Sequence, residues 1–288
     1  MNRLNLEQRA KILGCMVEGN SVRSTARLLG VDKKTVLRLL GEFGSACQKL
    51  HDEKVRGVKA QRVQCDEIWS FCYSKEKNVP EGCKGVLGFG DVYTWTALCA
   101  DSKLILSYHV GLREIPDAMR LMDDLRSRLA NRVQLTTDGH RPYLIAVDEA
   151  FGADVDYGML VKLYGHPKGE GNERRYSAGE CCGIKKRRVT GNPVREDIST
   201  SFVERMNLNI RMGMRRFTRL TNAFSKKIEN HVHALAIYFA YYNFCRIHQT
   251  LRVTPAMEAG LTDHAWTVEE LASLAEPISV DLTAVNQI

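Results

Sequence analysis

Residues 63–74 read VQCDEIWSFCYS, the first clear strand pattern of the chain. Its many β-branched and aromatic residues are typical of a β-strand. Two acids, Asp66 and Glu67, lie inside this apolar run. Burying an unpaired carboxylate costs several kcal/mol, so an acid here indicates a function beyond packing. Because successive side chains of a strand point to opposite faces, we expect Glu67 to face away from Asp66.

The residues after this strand predict two more strands and then an alternation of helices and strands. A polar turn comes first, and the apolar periodicity then predicts strands at 85–100 and 103–111. The pattern next gives a helix at 116–129, a strand at 133–138, a helix at 141–151, a strand at 155–165, and helices from 199 and at 225–248. The order βββαβαβα predicts an α/β, RNase-H-like fold, with a mixed sheet between helices.

The residues before the strand predict a helix-turn-helix. Helical stripes occupy residues 6–18, 21–30 and 32–43, with Gly30 at the turn and Asp32 as the cap of the third helix. Four residues would be exposed at the start of the third helix and face the major groove of DNA: Lys33, Lys34, Thr35 and Arg38. A generic three-helix packing module is the alternative.

These patterns predict four segments. A helix-turn-helix domain would occupy residues 1–48 and a linker residues 49–61. The catalytic core would span residues 62–258, with a basic, glycine-rich loop or insertion at 165–198. An acidic tail, residues 259–288, would follow.

Positive charge is concentrated in two blocks. The net charge is +7 over 288 residues. Residues 1–60 carry twelve Lys and Arg against six Asp and Glu, and residues 165–230 carry fifteen against seven. Residues 253–288 carry no Lys or Arg and six acids. Two basic blocks favour a protein that holds DNA at two places, although two solvated faces would give the same counts.

The cysteines exclude two classes of site. The nine cysteines are scattered and form no CxxC pair, so the sequence predicts neither a zinc site nor a disulfide framework. Free cysteines suit the reducing cytosol, and we expect a cytoplasmic, nucleoid-associated protein. The first residues form no apolar stretch, and no run is long enough to span a bilayer, so we expect no signal peptide and no membrane partner.

Three acids occupy the positions where this fold holds metal ligands. Asp66 lies in the first strand, Asp138 ends the fourth strand, and Glu204 lies on the helix after the fifth. Two Mg²⁺ or Mn²⁺ ions held by such carboxylates activate the attacking oxygen and stabilise the leaving oxygen of a phosphodiester. A helix N-cap is the alternative for Asp138, and a surface position the alternative for Glu204. Asp91 would be a further ligand or a turn residue.

Seven stretches, in order, resemble the DDE transposases of bacterial insertion sequences, most closely the InsB-type family of insertion sequence one. They are CDEIWSF, GDVYTWTALCADSKL, MDDLRSRLANRVQLTTDGHRPYL, ADVDYGMLVKLYG, STSFVERMNLNIRM, RRFTRLTNAFSKKIENHVHALAIYF and YYNFCRIHQTLRVTPAM. The resemblance implies the same triad of Asp66, Asp138 and Glu204, the Mg²⁺ or Mn²⁺ requirement, and action on the inverted-repeat ends of a mobile element. The family often carries a cysteine zinc motif ahead of its helix-turn-helix. This chain starts at the helix-turn-helix, so either the variant lacks the finger or the chain is one part of a longer product.

Further polar residues are expected to support catalysis and DNA binding. Asn207 shares a helical face with Glu204, and His140 follows Asp138 closely. Arg246 and His248 either cap the last helix or lie near the site. The predicted phosphate contacts on the later helices are Arg205, Arg211, Arg215, Arg216 and Arg219.

The sequence thus predicts a transposase that cleaves DNA and transfers strands. Its partners would be double-stranded DNA, as element ends and target, and at least one further copy of the chain, because two ends must be joined in one event. One alternative is a transposase-derived DNA-binding regulator without catalysis. Another alternative is a plain RNase-H-type nuclease. The helix-turn-helix argues against it, because this motif recognises a defined duplex site.

Overall fold

A computed structural model describes residues 4–165, 181–218 and 222–275. The chain forms two compact units: a sheet unit, Val55–Met212, and a helical unit in which Met1–Lys54 associates with Gly213–Ile288. This division differs from the predicted boundaries. Residues 213–258, predicted to belong to the catalytic core, cluster with the N-terminal helices, because the C-terminal helices pack against them.

The sheet unit contains a six-stranded mixed sheet in the order β3-β2-β1-β4-β5-β6. The strands are β1 (Arg62–Cys72), β2 (Gly90–Cys99), β3 (Ile105–Gly111), β4 (Gln134–Asp138), β5 (Asp156–Tyr164) and β6 (Cys181–Thr190). The pairs β1–β4 and β4–β5 are parallel, whereas β1–β2, β2–β3 and β5–β6 are antiparallel. A mixed sheet of this order, flanked by helices, is consistent with the predicted RNase-H-like fold.

Three helices accompany the sheet: α4 (Ile115–Arg128), α5 (Pro142–Phe151) and α6 (Ser201–Gly213). Helix α4 packs against α5 and against β2 and β3. Its apolar stripe, which includes Leu121 and Leu125, is fully buried, as is Trp95 on β2. Burial of such side chains contributes about 1.5–3 kcal/mol each, so this interface holds the sheet unit together.

The prediction of a loop at 165–198 is wrong over part of this range, since β6 occupies Cys181–Thr190. Its basic run, from Lys185 to Arg188, pairs through the backbone with β5. The strand is partly or fully exposed along its length, so it lacks the alternation of apolar residues that identified the other strands. The remaining part of that prediction, residues 166–180, lies outside the described residues.

The helical unit begins with α1 (Leu6–Val17), α2 (Val22–Leu29) and α3 (Lys33–Lys54). The predicted turn chemistry is confirmed, because Gly30 has a left-handed φ of 64° and Oδ1 of Asp32 accepts the N–H of Lys34. Helix α3 extends six residues beyond the predicted domain boundary at 48, since Leu50 and His51 continue its buried face. The use of these helices in DNA binding stays a prediction.

The C-terminal part of this unit contains α7 (Ile228–Ala240), a π-helical turn (Tyr241–Cys245), α8 (Pro255–Glu258) and α9 (Val268–Ser273). The single helix predicted at 225–248 is therefore shorter. Helix α7 packs closely on α3 at Gly44, where a Cβ atom would lie 2.3 Å from Cβ of His233. Within the predicted tail, α9 buries Leu271 and Ala272 and packs on α1. Residues 276–288 lie outside the described part.

Within the described ranges, no helix combines the length and the apolar character that crossing a membrane requires.

Candidate metal centre

Two acids meet where neighbouring parallel strands lie side by side. The β1–β4 register pairs Cys65 with Thr137, so the next residues, Asp66 and Asp138, follow at the same level of the sheet. Among the described residues, Asp66, Glu67 and Asp138 each offer a carboxylate oxygen within 4.8 Å of the others. The topology therefore brings together two of the three predicted ligands.

Glu67 is the third member of this group, although the alternation of side chains along the strand predicts that it faces away from Asp66. Its side chain is only 2% exposed, and Nη2 of Arg113 lies 2.5 Å from its Oε1. The hydroxyl of Tyr143, on α5, donates to Oε2 at 3.3 Å. Glu67 thus has different partners from Asp66 but still reaches the cluster. The signal that could have found it is the acid pair within an apolar strand.

Asp66 carries an unfavourable negative charge in this arrangement. Burial, followed by the charges of Glu67 and Asp138, raises the pKa of Asp66 to about 7. Hydrogen bonds to its carboxylate come from the backbone N–H of Glu67 at 2.9 Å and from the side-chain amide of Asn207 at 2.8 Å. A group of carboxylates that repel one another in this way favours a bound cation.

Helix α6 is hydrogen-bonded to β1 at Gln64, two residues before Asp66. The buried side chain of Gln64 accepts the backbone N–H groups of Phe202 at 2.8 Å and Val203 at 3.1 Å. These donors belong to the first turn of α6, whose N–H groups have no partner within the helix. Gln64, which sequence reasoning missed, therefore fixes the start of the helix that carries Glu204 and Asn207.

Glu204 lies near the cluster but has its own partners. Its Oε1 is 2.5 Å from Nζ of Lys162 on β5 and accepts the hydroxyl of Thr200 at 2.5 Å. The negative charge of Glu204 contributes to raising the pKa of Asp66, behind burial and the two closer acids. Glu204 does not belong to the group whose oxygens lie within 4.8 Å. Asp91 also lies outside that group.

The polar atoms around the cluster fit a hydrated divalent cation. Oδ1 of Asn207, on a residue only 6% exposed, has no hydrogen-bond partner among the described residues, and neither does buried Nε2 of His140. The backbone N–H of His140 donates to Oδ1 of Asp138 at 2.9 Å. Burial, and then the positive charge of Arg113, lowers the pKa of His140. Carboxylate and amide oxygens are the hard ligands that Mg²⁺ and Mn²⁺ prefer.

The predicted DNA-contact residues are divided between the two units. Lys33 and Lys34 are exposed at the start of α3, and Thr35 is partly exposed. Arg38 forms an ion pair with the buried carboxylate of Glu42, so its guanidinium is already engaged. Arg205 and Arg211 are exposed on α6, and Arg215 is exposed in the helical unit. Arg216 donates to Ser225, and Arg219 lies outside the described residues.

Arg246 and His248 follow the π-helical turn of the helical unit, whereas the carboxylates belong to the sheet unit. The backbone N–H of Arg246 donates to the carbonyl of Tyr241, and His248 exchanges backbone hydrogen bonds with the turn that follows it. These hydrogen bonds involve the backbone alone, so the roles of the Arg246 and His248 side chains stay a prediction.

No protein-family model and no curated protein matches the sequence. Among solved structures, the chain is similar to one described as "Crystal structure of the Mos1 Strand Transfer Complex", with 14% identity and a TM-score of 0.24. The match covers 55% of this chain and 59% of that chain, so this protein spans less than two thirds of that relative's length. Because a TM-score this low does not establish a shared fold, the function of this chain must be inferred from its own site.

Proposed function

We propose that this protein is a metal-dependent DNA strand-transfer enzyme, a DDE transposase similar to the InsB-type family of insertion sequence one. The observation that carries the proposal is the convergence of Asp66, Glu67 and Asp138, whose carboxylate oxygens lie within 4.8 Å of one another beside adjacent parallel strands. A sheet of this order with acids at this point supports phosphodiester chemistry, since two-metal sites need few carboxylates, rigidly held.

In this proposal Asp66 and Asp138 hold Mg²⁺ or Mn²⁺, as two ions, with Glu204 as the third catalytic ligand. The ions supply an activated oxygen nucleophile and stabilise the leaving oxygen. Asn207 orients Asp66 through its amide, and the backbone of His140 orients Asp138. Lys162 holds Glu204 beside the site. Glu67 is a competing third ligand, because its oxygens are closer to the pair than those of Glu204.

Double-stranded DNA is the proposed substrate, as the ends of an insertion sequence and as target. The basic residues exposed at the start of α3, Lys33 and Lys34, support contacts to a duplex. Arg205 and Arg211 on α6 are exposed on the helix that carries Glu204, which suits phosphates near the cleavage point. We propose at least a dimer on DNA, because joining two ends needs two sites.

The proposal is tested by incubating the purified protein with labelled candidate element ends, in Mg²⁺ or in EDTA, beside variants of single acids. We expect nicking that needs the metal and is abolished by Asp66→Asn, Asp138→Asn and Glu204→Gln, with DNA binding retained. Asp148→Asn, an exposed acid of α5, is the matched control and should cleave normally.

Binding to the ends without nicking by the unmodified protein would contradict the proposal and favour a DNA-binding regulator. If Glu204→Gln keeps full activity and Glu67→Gln loses it, the third metal ligand is Glu67 and not Glu204. Cleavage without preference for any end would favour a plain nuclease.

A further inference from the structure

A large concave cleft lies within the helical unit. Its volume is about 840 Å³, and its walls come from the end of α1, the start of α2 and α3, residues 213–216 and 222–227, and α7. Six cationic side chains line it: Arg23, Lys33, Arg215, Arg216, Lys226 and Lys227. No aspartate or glutamate is among the lining residues. The cleft therefore has the charge of a site for an anion.

Most of these cations are available for a ligand. Arg23, Lys33, Arg215, Lys226 and Lys227 form no ion pair with any carboxylate in the described ranges, and all five are exposed. This contrasts with Arg38 nearby, which is engaged by Glu42. Keeping so many like charges around one cavity costs repulsion, and a polyanion would relieve it.

The cleft also offers aromatic and apolar surface. Phe224 and Tyr238 line it, together with Met16 and Ile237. Nζ of Lys226 lies over the Phe224 ring, 4.6 Å from its centre, so this lysine covers one face of the ring and a stacked base would take the place of the ammonium group. Sites for single-stranded nucleic acid combine these two elements, since cations follow the phosphates while bases stack on aromatic rings.

The concave shape distinguishes this site from a surface that binds in a groove of duplex DNA. A helix enters the major groove of duplex DNA because it is convex, whereas a cavity has to receive a part of the nucleic acid that leaves the base stack. The volume falls within the range of pockets for small molecules, roughly 300–1,000 Å³, which suits individual nucleotides better than a duplex.

We infer that this cleft binds an unpaired stretch of DNA, with phosphates on Arg215, Lys227 and their cationic neighbours and a base against Phe224. The choice of DNA as the polyanion rests on the proposed function, but binding by the cleft does not require cleavage. The C-terminal segment would thereby form a nucleic-acid site together with the start of the predicted duplex-reading helix, which contributes Lys33 to the cleft.

The test measures binding of a fluorescent, short oligothymidine in EDTA, by anisotropy, over a series of salt concentrations. The cleft variant is Arg215→Gln with Lys227→Gln. The matched control is Lys54→Gln with Arg27→Gln, which removes the same charges from exposed positions of the same unit outside the cleft. We expect the cleft variant to reduce the slope of log affinity against log salt by about 1.4, because each phosphate contact on a single strand contributes about 0.7. The control should leave the slope unchanged.

A second variant, Phe224→Leu, keeps an apolar side chain and removes the ring. We expect it to weaken oligothymidine binding roughly 5- to 150-fold, the effect of losing one stacked base, and to leave binding of inorganic polyphosphate unchanged. Circular dichroism establishes that each variant is folded.

Two results would overturn the inference: no oligothymidine binding by the unmodified protein, or equal losses in the cleft and control variants. Equal affinity of Phe224→Leu for oligothymidine would reduce the cleft to a general polyanion site and overturn the base contact. The binding assay contains no metal, so its results can be interpreted even if the protein does not cleave DNA. Conversely, absence of oligothymidine binding would not contradict the proposed metal centre.

Discussion

The side-chain amide of Asn207 donates a hydrogen bond to Oδ2 of Asp66 at 2.8 Å, joining residues 141 positions apart in the sequence. Asp66 lies on β1 and Asn207 on α6. The other oxygen of Asp66 accepts the backbone N–H of Glu67. Both carboxylate oxygens are therefore held in fixed directions, and the orientation of this ligand depends on the position of α6.

Asn207→Ala should weaken metal binding by removing the amide that positions Asp66. Positioning partners of this kind typically contribute 10- to 100-fold to metal affinity or activity, so we expect the Mg²⁺ concentration for half-maximal cleavage to rise about 10-fold or more. Titration of Mg²⁺ in the cleavage assay measures the change. Asn192→Ala, an exposed asparagine of the same unit, should be unaffected. An unchanged Mg²⁺ dependence in Asn207→Ala would leave the asparagine with a structural role only.

Gln64→Leu should displace the start of α6. The substitution leaves two backbone N–H groups without their acceptor, at a cost of about 1–3 kcal/mol in the free energy of unfolding. We expect a lower kcat for cleavage with DNA affinity retained, because Glu204 and Asn207 are carried by that helix.

The matched control for Gln64 is Gln134→Leu on the neighbouring strand. Gln134 also exchanges two hydrogen bonds with a backbone segment, at Val194, but away from the acids. Equal losses of kcat in the two variants would show that Gln64 has no particular role in positioning the site.

Gly44→Ala should destabilise the helical unit, because the new Cβ would lie 2.3 Å from Cβ of His233. Overpacking of this kind costs about 1–3 kcal/mol. Gly14→Ala, on α1, meets no atom within 4 Å and should instead stabilise the helix, by about 0.5–1 kcal/mol. Denaturant unfolding followed by circular dichroism compares the two. A stabilising Gly44→Ala would show that α3 and α7 do not pack as described.

The helical unit should lose stability in acid through His231. Burial, and then the positive charge of Arg216, lowers the pKa of His231 to about 3. Below pH 6.5 the unfolded chain binds a proton that the folded chain does not, so the free energy of unfolding falls by about 1.4 kcal/mol per pH unit until about pH 3.

Denaturant midpoints at several pH values should therefore depend less on pH in His231→Leu than in the unmodified protein. The lower overall stability expected of that variant does not affect the comparison, since the slope is the measurement. The same slope in both proteins would contradict a neutral, buried His231.

The strands β1 to β5 of the sheet unit were predictable because each carries an apolar run over a buried face. Asp66 and Asp138 were found for a related reason, since a carboxylate in or at the end of such a run is conspicuous. Strand β6 was not predictable, because both of its faces are solvated and its pairing with β5 uses the backbone alone.

The roles of Glu67 and Gln64 depend on contacts between distant parts of the chain. The alternation rule places Glu67 opposite Asp66, but it does not indicate how far a glutamate at that position reaches. Gln64 binds α6 across 138 positions, which no local pattern encodes. The association of residues 213–275 with the N-terminal helices is likewise a long-range packing result, visible in sequence only as an apolar face on α7.

The metal centre is tested by the binding of Mn²⁺ to the protein, measured by electron paramagnetic resonance with a duplex present, because this measurement does not depend on knowing the correct DNA end. We predict that the unmodified protein and Asp148→Asn bind Mn²⁺ equally, and that Asp66→Asn and Asp138→Asn each weaken binding about 10-fold or more. Equal Mn²⁺ binding by all four proteins would contradict a metal centre at Asp66 and Asp138.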